Sequence, residues 1–328
     1  MRRRAFIELL VGTVATWPLS ARAKAAGPAR RIGILTSSAE DDPEARKRFD
    51  ALAQGLGRLG WVDGRNLHVE YRRGTGGVLR RALADELLNS KPDLLIGTST
   101  ASLRTLQQAT ETVPILFITV SDPVRDGFVA SLARPGGNIT GFASTEPRMA
   151  VKWYELLKAV APQTTKALIL FNPDTAPHSL YMEPLTSSAL SFGLQAVPAP
   201  VRTGAEIEAA LARAEGRAGW GVVAMPDSFL FVHRDRVSAL AARQELPAVY
   251  ALRSHVASGG LISYGVDVPD QYAQAAAYVD RILRGEKPGN LPVQLPTKFE
   301  TAVNLRTARA LGIEVTDSVL LQADEVIE

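Results

Sequence analysis

Short apolar runs alternate with amphipathic segments along most of the chain. The first run, Arg31-Ile32-Gly33-Ile34-Leu35, is apolar on both faces, which predicts a central parallel strand. Phe49, Leu52, Leu56 and Leu59 then recur at helical spacing, and Gly60 is placed to end that helix. A second strand is expected over 66–72, a helix over 79–88, a third strand at Asp93-Leu94-Leu95-Ile96 and a fourth at Pro114-Ile115-Leu116-Phe117-Ile118. Gly136-Gly137-Asn138-Ile139-Thr140-Gly141 reads as a turn entering a short extended piece. After Thr145 the rhythm restarts with a helix whose apolar face is Trp153, Leu156, Leu157 and Val160. Strands over 166–171, 194–201 and 221–225 follow, separated by a helix ending at Gly193 and another over 205–214.

This alternation predicts an α/β protein of two doubly wound parallel-sheet lobes, the second repeating the architecture of the first. Ligands of such sheets bind beyond the carboxyl ends of the strands, so two facing lobes share one cleft.

The first 23 residues stand apart from this pattern. Met1-Arg2-Arg3-Arg4 precedes an apolar stretch from Leu9 to Leu19, and Ala21-Arg22-Ala23 offers a small-x-small cleavage site. Residues 1–23 are therefore expected to be a signal peptide, since a spanning helix needs roughly 20 apolar residues. Arg3-Arg4 followed by Phe6-Ile7 is similar to a twin-arginine leader, with either that route or the general secretory one open.

Charge changes its meaning once the leader is set aside. The whole chain carries 37 basic and 34 acidic residues, a balance of +3. The leader holds four arginines against one glutamate, so 33 of each sign remain and the rest is neutral. The nucleic-acid or membrane-surface partner that a basic chain suggests is therefore not expected. The chain has no cysteine, which excludes disulfides, thiolate metal sites, cysteine nucleophiles and a lipidated cysteine anchor. A free, unanchored exported protein is most useful in a periplasm, and a monomer is expected.

Few residues invite catalysis. His68, His178, His233 and His255 lie in separate segments with no metal-binding i, i+4 pair. No phosphate-binding loop, Ser-x-x-Lys or Gly-x-Ser-x-Gly elbow occurs, and no cofactor is expected. Gly97-Thr98-Ser99-Thr100 resembles a nucleophile turn only superficially, lacking the second glycine.

The expected strand ends carry small polar residues instead: Thr36 and Ser37, then Thr98, Ser99 and Thr100, then Thr119, Ser121 and Asp122, and in the second half Asn172 and Asp227. Hydroxyls and free N–H groups at helix starts can hold a polar head without a buried charge pair, although the same residues also cap helices. Asp227 follows the apolar run 222–225; it either engages a ligand or caps the helix containing Val237 and Leu240. Asp122, before Pro123, also suits a turn. Tyr250 and Tyr264 are candidates for flat walls with a polar tip, or for ordinary core tyrosines.

A set of ordered segments resembles the ABC-transporter substrate-binding proteins whose relatives bind aromatic amino acids such as tryptophan. It runs through Arg31-Ile32-Gly33-Ile34-Leu35, Gly55-Leu56-Gly57-Arg58-Leu59-Gly60-Trp61, Ser121-Asp122-Pro123-Val124 and Arg134-Pro135-Gly136-Gly137-Asn138-Ile139-Thr140-Gly141. It continues in Ile262-Ser263-Tyr264-Gly265, Pro296-Thr297-Lys298-Phe299-Glu300 and the ending Ala323-Asp324-Glu325-Val326-Ile327-Glu328. The resemblance implies a periplasmic-binding type I fold with three crossovers, a first lobe of 28–143 and 258–289, and a second of 144–257 and 290–328. It also implies a receptor, not an enzyme, that closes on a small-molecule ligand, an amino acid or related solute, and delivers it to an ABC permease in the inner membrane. A periplasmic enzyme and a ligand sensor for a signalling partner are the alternatives.

Overall fold

The computed structural model describes residues 28–175 and 178–328, so the expected leader lies outside the described residues. Among the described residues, twelve strands form two sheets. The first sheet has the order β2-β1-β3-β4-β5 and is parallel throughout, built from β1 (Arg30–Thr36), β2 (Leu67–Arg73), β3 (Leu94–Gly97), β4 (Ile115–Val120) and β5 (Ile139–Ala143). The second has the order β12-β11-β10-β9-β8-β6-β7, from β6 (Lys166–Phe171), β7 (Gln195–Pro200), β8 (Trp220–Ala224), β9 (Ala248–Tyr250), β10 (Ile262–Val266), β11 (Phe299–Asn304) and β12 (Glu325–Ile327). Only the β10–β11 pair is antiparallel.

Helices cover both faces of each sheet, as continuous apolar strands require. In the first lobe these are α1 (Pro43–Arg58), α2 (Gly77–Asn89) and α3 (Thr100–Ala109). In the second they are α4 (Met149–Val160), α5 (His178–Ser188), α6 (Gly204–Ala212), α7 (Ser228–Val232), α8 (Arg234–Arg243) and α9 (Arg253–Ala257). The helix α10 (Val268–Leu283) returns to the first lobe, while α11 (Leu305–Ala310) and α12 (Asp317–Leu320) finish the second. The expected helix-ending glycines behave as such, with φ of 90° at Gly60 and 64° at Gly193.

The chain crosses between lobes three times: after Ala143, after Val266, and between Gln294 and Phe299. This corrects the expected boundaries. The segment 258–289 was assigned to the first lobe, yet Ile262–Val266 pairs with β9 and β11 in the second sheet. Residues 290–294, expected in the second lobe, belong to the first: Leu291 joins its core, and Gln294 exchanges backbone hydrogen bonds with Gly141 and Ala143 at 2.9 and 2.8 Å. An apolar run announces a strand but not which sheet receives it, so a crossover one element later looks the same in sequence.

Candidate functional site

The two lobes enclose a cavity of about 760 Å³, part of it open solvent, lined by the carboxyl ends of strands from both sheets. On the first-lobe side stand Ser37, Thr98, Ser99, Thr100, Thr119 and Ser121. Their placement follows from local chemistry. Ser99 is the N-cap of α3; its hydroxyl accepts from the Ser102 N–H at 3.2 Å and lies 2.9 Å from the Ser102 hydroxyl. Thr119 sits where the β4–β5 register shifts, and its φ of 61° is the left-handed region that a β-branched residue avoids. Its hydroxyl donates to the Thr98 carbonyl at 2.9 Å, so the irregularity ties two strand ends together at the cavity wall.

Asp227 faces this wall from the second lobe and is only 5% exposed. One carboxylate oxygen accepts from the Asn172 N–H at 2.6 Å; the other accepts from the Thr175 hydroxyl at 2.6 Å and the Phe229 N–H at 2.7 Å. It is thus both a cavity residue and the N-cap of α7. Of the two expected alternatives the helix cap is present, with one change: the helix carrying Val237 and Leu240 is α8, a separate element. Burial pushes the Asp227 carboxyl up to about 6, against the opposing effect of the Thr175, Asn172 and Phe229 donors.

The remaining expected residues divide. Thr36 is buried behind the wall, its hydroxyl accepting from the Ser38 N–H at 3.2 Å. Asn172 acts through its backbone on Asp227, and its own side chain accepts from the Asp174 N–H at 2.8 Å. Asp122 forms a turn, accepting from the Arg125 N–H at 3.1 Å, and lies at the mouth of the cleft, outside the cavity. The two tyrosines are corrections. Tyr250 is 1% exposed in the second-lobe core, stacked on His255 at 4.9 Å, and Tyr264 stacks on Phe299 at 5.9 Å; neither lines the cavity. Both do lie in strands, but Tyr250 turns towards the helices behind the sheet.

Other cavity residues carried no signal as sequence. Tyr272 and Val268 come from α10, Phe231 from α7, Ala251 and Leu252 from the loop after β9, and Arg48 from the middle of α1. Gly265 makes room for that loop, because a Cβ there would sit 1.8 Å from the Ala251 carbonyl oxygen. Arg48 lies over the Phe231 ring at 4.1 Å from its centroid. Burial, the largest effect, lowers its pKa.

Ion pairs fasten the lobes beside the cavity. Asp42, the N-cap of α1, receives Arg234 of α8 through both oxygens at 2.9 and 3.0 Å, and Glu44 receives Arg253 of α9 at 3.3 Å. Both arginines belong to the second lobe and both acids to the first. Among the described residues, no group of three or more His, Cys, Asp or Glu side chains converges on a metal site, and no helix is long and apolar enough to cross a membrane.

The cavity is lined mainly by short hydroxyl side chains, one cation and one carboxylate, and known proteins share the architecture that builds it. The tyrosine-binding protein of Clostridioides difficile is 26% identical over 288 residues, 87% of this chain and 81% of its own length. A conserved domain protein from Vibrio cholerae O1 biovar eltor superposes with a TM-score of 0.84 at 27% identity, covering 91% of this chain and 99% of that one. The ABC domain of Streptococcus pneumoniae in complex with L-Trp has the same TM-score at 23% identity, covering 91% and 100%. Since the profile described as "ABC transporter substrate binding protein" matches residues 31–327, nearly all of both lobes and every crossover between them, the chain belongs to that family.

Proposed function

We propose that this protein is a periplasmic solute receptor that closes on an amino acid or related small organic solute and hands it to an ABC permease. The observation carrying this reading is the cavity between the lobes, whose first wall presents strand-end hydroxyls and the start of α3 while Asp227 faces them. The hydroxyls and N–H groups of the first lobe take the ligand's polar head, and the second lobe completes the enclosure on closure. The tyrosine-binding and L-Trp-bound relatives support the amino-acid class. Periplasmic residence is supported by the expected leader and family membership. We further take the receptor to act as a monomer.

The test is a thermal-shift screen of amino acids, aromatic acids and other small organic solutes, followed by recovery of the ligand. A cognate ligand raises stability by about 2.7 kcal/mol at a hundredfold excess over its Kd and returns chemically unchanged. Scattering of the saturated protein should show a more compact particle wherever the free lobes open. A ligand consumed on incubation would point to an enzyme.

A further inference from the structure

Among the described residues, Arg48 is the one cationic side chain that lines the interlobe cavity, and no carboxylate lies within ion-pair distance of it. It extends from α1 of the first lobe onto Phe231 of the second, 4.1 Å from the ring centroid. The nearest acids are engaged elsewhere. Both oxygens of Asp42 hold Arg234, and Glu44 is shared between Arg253 and Lys47. Among the described residues no carboxylate forms an ion pair with Arg48. Phe231 cannot fully compensate, because the Arg234 guanidinium also lies 4.8 Å from the same ring.

A guanidinium stays charged in proteins, so this one cannot shed its proton to escape desolvation. An unpaired charge in an enclosed site is costly until a counter-charge arrives. Among the described residues, the only carboxylate within the cavity is Asp227, which already accepts from Asn172, Thr175 and Phe229. The mouth of the cleft has the same sign. It carries Arg80, Arg81, Arg104 and Arg125 against Asp122, Asp126 and Asp174, and adjoins the cavity at Thr100, Ser121 and Thr175. Arg125 reaches across to the hydroxyl of Ser179, and no acid of the described residues pairs with Arg80. A cationic mouth opening on an unpaired cation draws anions inward.

We infer that Arg48 is the specificity-determining residue of the cavity, pairing with a carboxylate of the ligand and restricting the receptor to organic acids, amino acids included. The guanidinium fork offers a carboxylate two parallel hydrogen bonds, and its Cζ lies 4.1 Å from the centroid of the Phe231 ring. The inference rests on the receptor reading and narrows its ligand from polar organic solutes to those bearing an acid group.

The test uses matched pairs in thermal-shift and calorimetric titrations: L-tryptophan, L-tyrosine, L-glutamate and indole-3-acetate, each beside its primary amide, with ribose and myo-inositol as neutral solutes. At least one acid should bind the wild type roughly tenfold or more tightly than its amide, the scale of a charged hydrogen-bonded contact in an enclosed site. Arg48→Gln should abolish that acid-over-amide ratio, and Arg48→Lys should restore part of it. The melting temperature of ligand-free Arg48→Gln should match or exceed that of the wild type, because an unpaired charge is removed; a fall would mark Arg48 as a structural residue and overturn the inference. An acid and amide of equal affinity, or a preference that survives Arg48→Gln, would overturn it too. Binding of the neutral solutes alone keeps the receptor reading and sinks the assignment of Arg48, whereas binding of none of these compounds counts against both.

Discussion

The two walls of the cleft solve the same problem with different chemistry. The first-lobe wall presents Arg48 of α1 beside a row of short hydroxyl side chains at the ends of β1, β3 and β4, of which Thr98, Ser99 and Thr119 are bonded to neighbours in their own lobe. The second-lobe wall centres on a single buried carboxylate, Asp227, with Thr175 and Ser228 beside it, set among Pro226, Phe231, Ala251 and Leu252. The first wall is distributed, so the loss of one hydroxyl leaves the others in place. The second is concentrated, since one side chain ties β6, through Asn172, to the loop carrying Thr175 and to the start of α7. Redundant contacts suit binding that must be reversed, and a concentrated one suits a rigid half against which a ligand is closed.

The sharpest way to break this comparison is to truncate one residue on each side. Asp227→Ala strands the Asn172 and Phe229 N–H groups and the Thr175 hydroxyl, and buried donors left unpaired cost about 1–3 kcal/mol each. We expect a total loss of roughly 3 kcal/mol from the ligand-free protein, because relaxation and water recover part of that sum. Ser99→Ala removes one N-cap and should cost about 1 kcal/mol. Urea midpoints of the two variants measure the contrast, and equal losses would mean that the walls do not differ in kind. The Asp227 carboxyl also gives a pH signature. Its pKa is raised from 3.8 to about 6 on folding, so the folded state holds the proton more tightly. The stabilisation from that proton is fully present below about pH 3.8 and is lost as pH rises through 6. The stability of the wild type relative to Asp227→Asn should therefore fall between pH 4 and 7.

Next in size is the fastening between the walls. Asp42 and Arg234 are 9% and 11% exposed at their side chains, so solvent screens this pair less than a surface one. Asp42→Asn keeps an oxygen for the α1 N-cap but removes the charge that spans the lobes. Closure should weaken by about 1–2 kcal/mol, read as a roughly tenfold loss of ligand affinity and a larger radius of gyration, with each lobe's core untouched. A variant that scatters like the wild type and binds like it would show that packing alone sets the lobe arrangement.

The difference between the walls also explains what the sequence made legible. Hydroxyls that follow apolar runs, such as Thr98 after β3 and Thr119 within β4, are visible because the strand pattern places them. Asp227 was visible for the same reason, but its bonds to Asn172 and Thr175 were not, since both lie more than 50 residues away and meet it only through the β6–β8 pairing. Arg48 gave no sign at all. It occupies a polar position beside Phe49 on an amphipathic helix, where an arginine normally faces water, and only the approach of α7 encloses it. Tyr250 erred in the opposite direction, because alternation along a strand shows that a side chain is buried but not which cover it meets. As far as β8 the βα rhythm survived translation into three dimensions almost element by element, while the lobe that receives β10 depended on contacts across the hinge.

The smallest expected effect tests whether the first wall holds strain. Thr119 combines a left-handed backbone with a hydroxyl that donates to the Thr98 carbonyl, and these two features act in opposite directions. Strain of this kind costs on the order of 1 kcal/mol or more in a β-branched residue, and the hydrogen bond returns about 1 kcal/mol. Thr119→Gly removes both and should leave the ligand-free stability within about 1 kcal/mol of the wild type, allowing for the greater freedom of glycine in the unfolded chain. Thr119→Val keeps the branched side chain and the strain but loses the bond, so it should fall roughly 1 kcal/mol below Thr119→Gly. Ligand affinity should drop in both variants, because each removes a hydroxyl from the cavity wall. If Thr119→Val proves the more stable of the two, the backbone at this position is relaxed, and the register shift beside it is a packing accommodation with no stored strain to spend on binding.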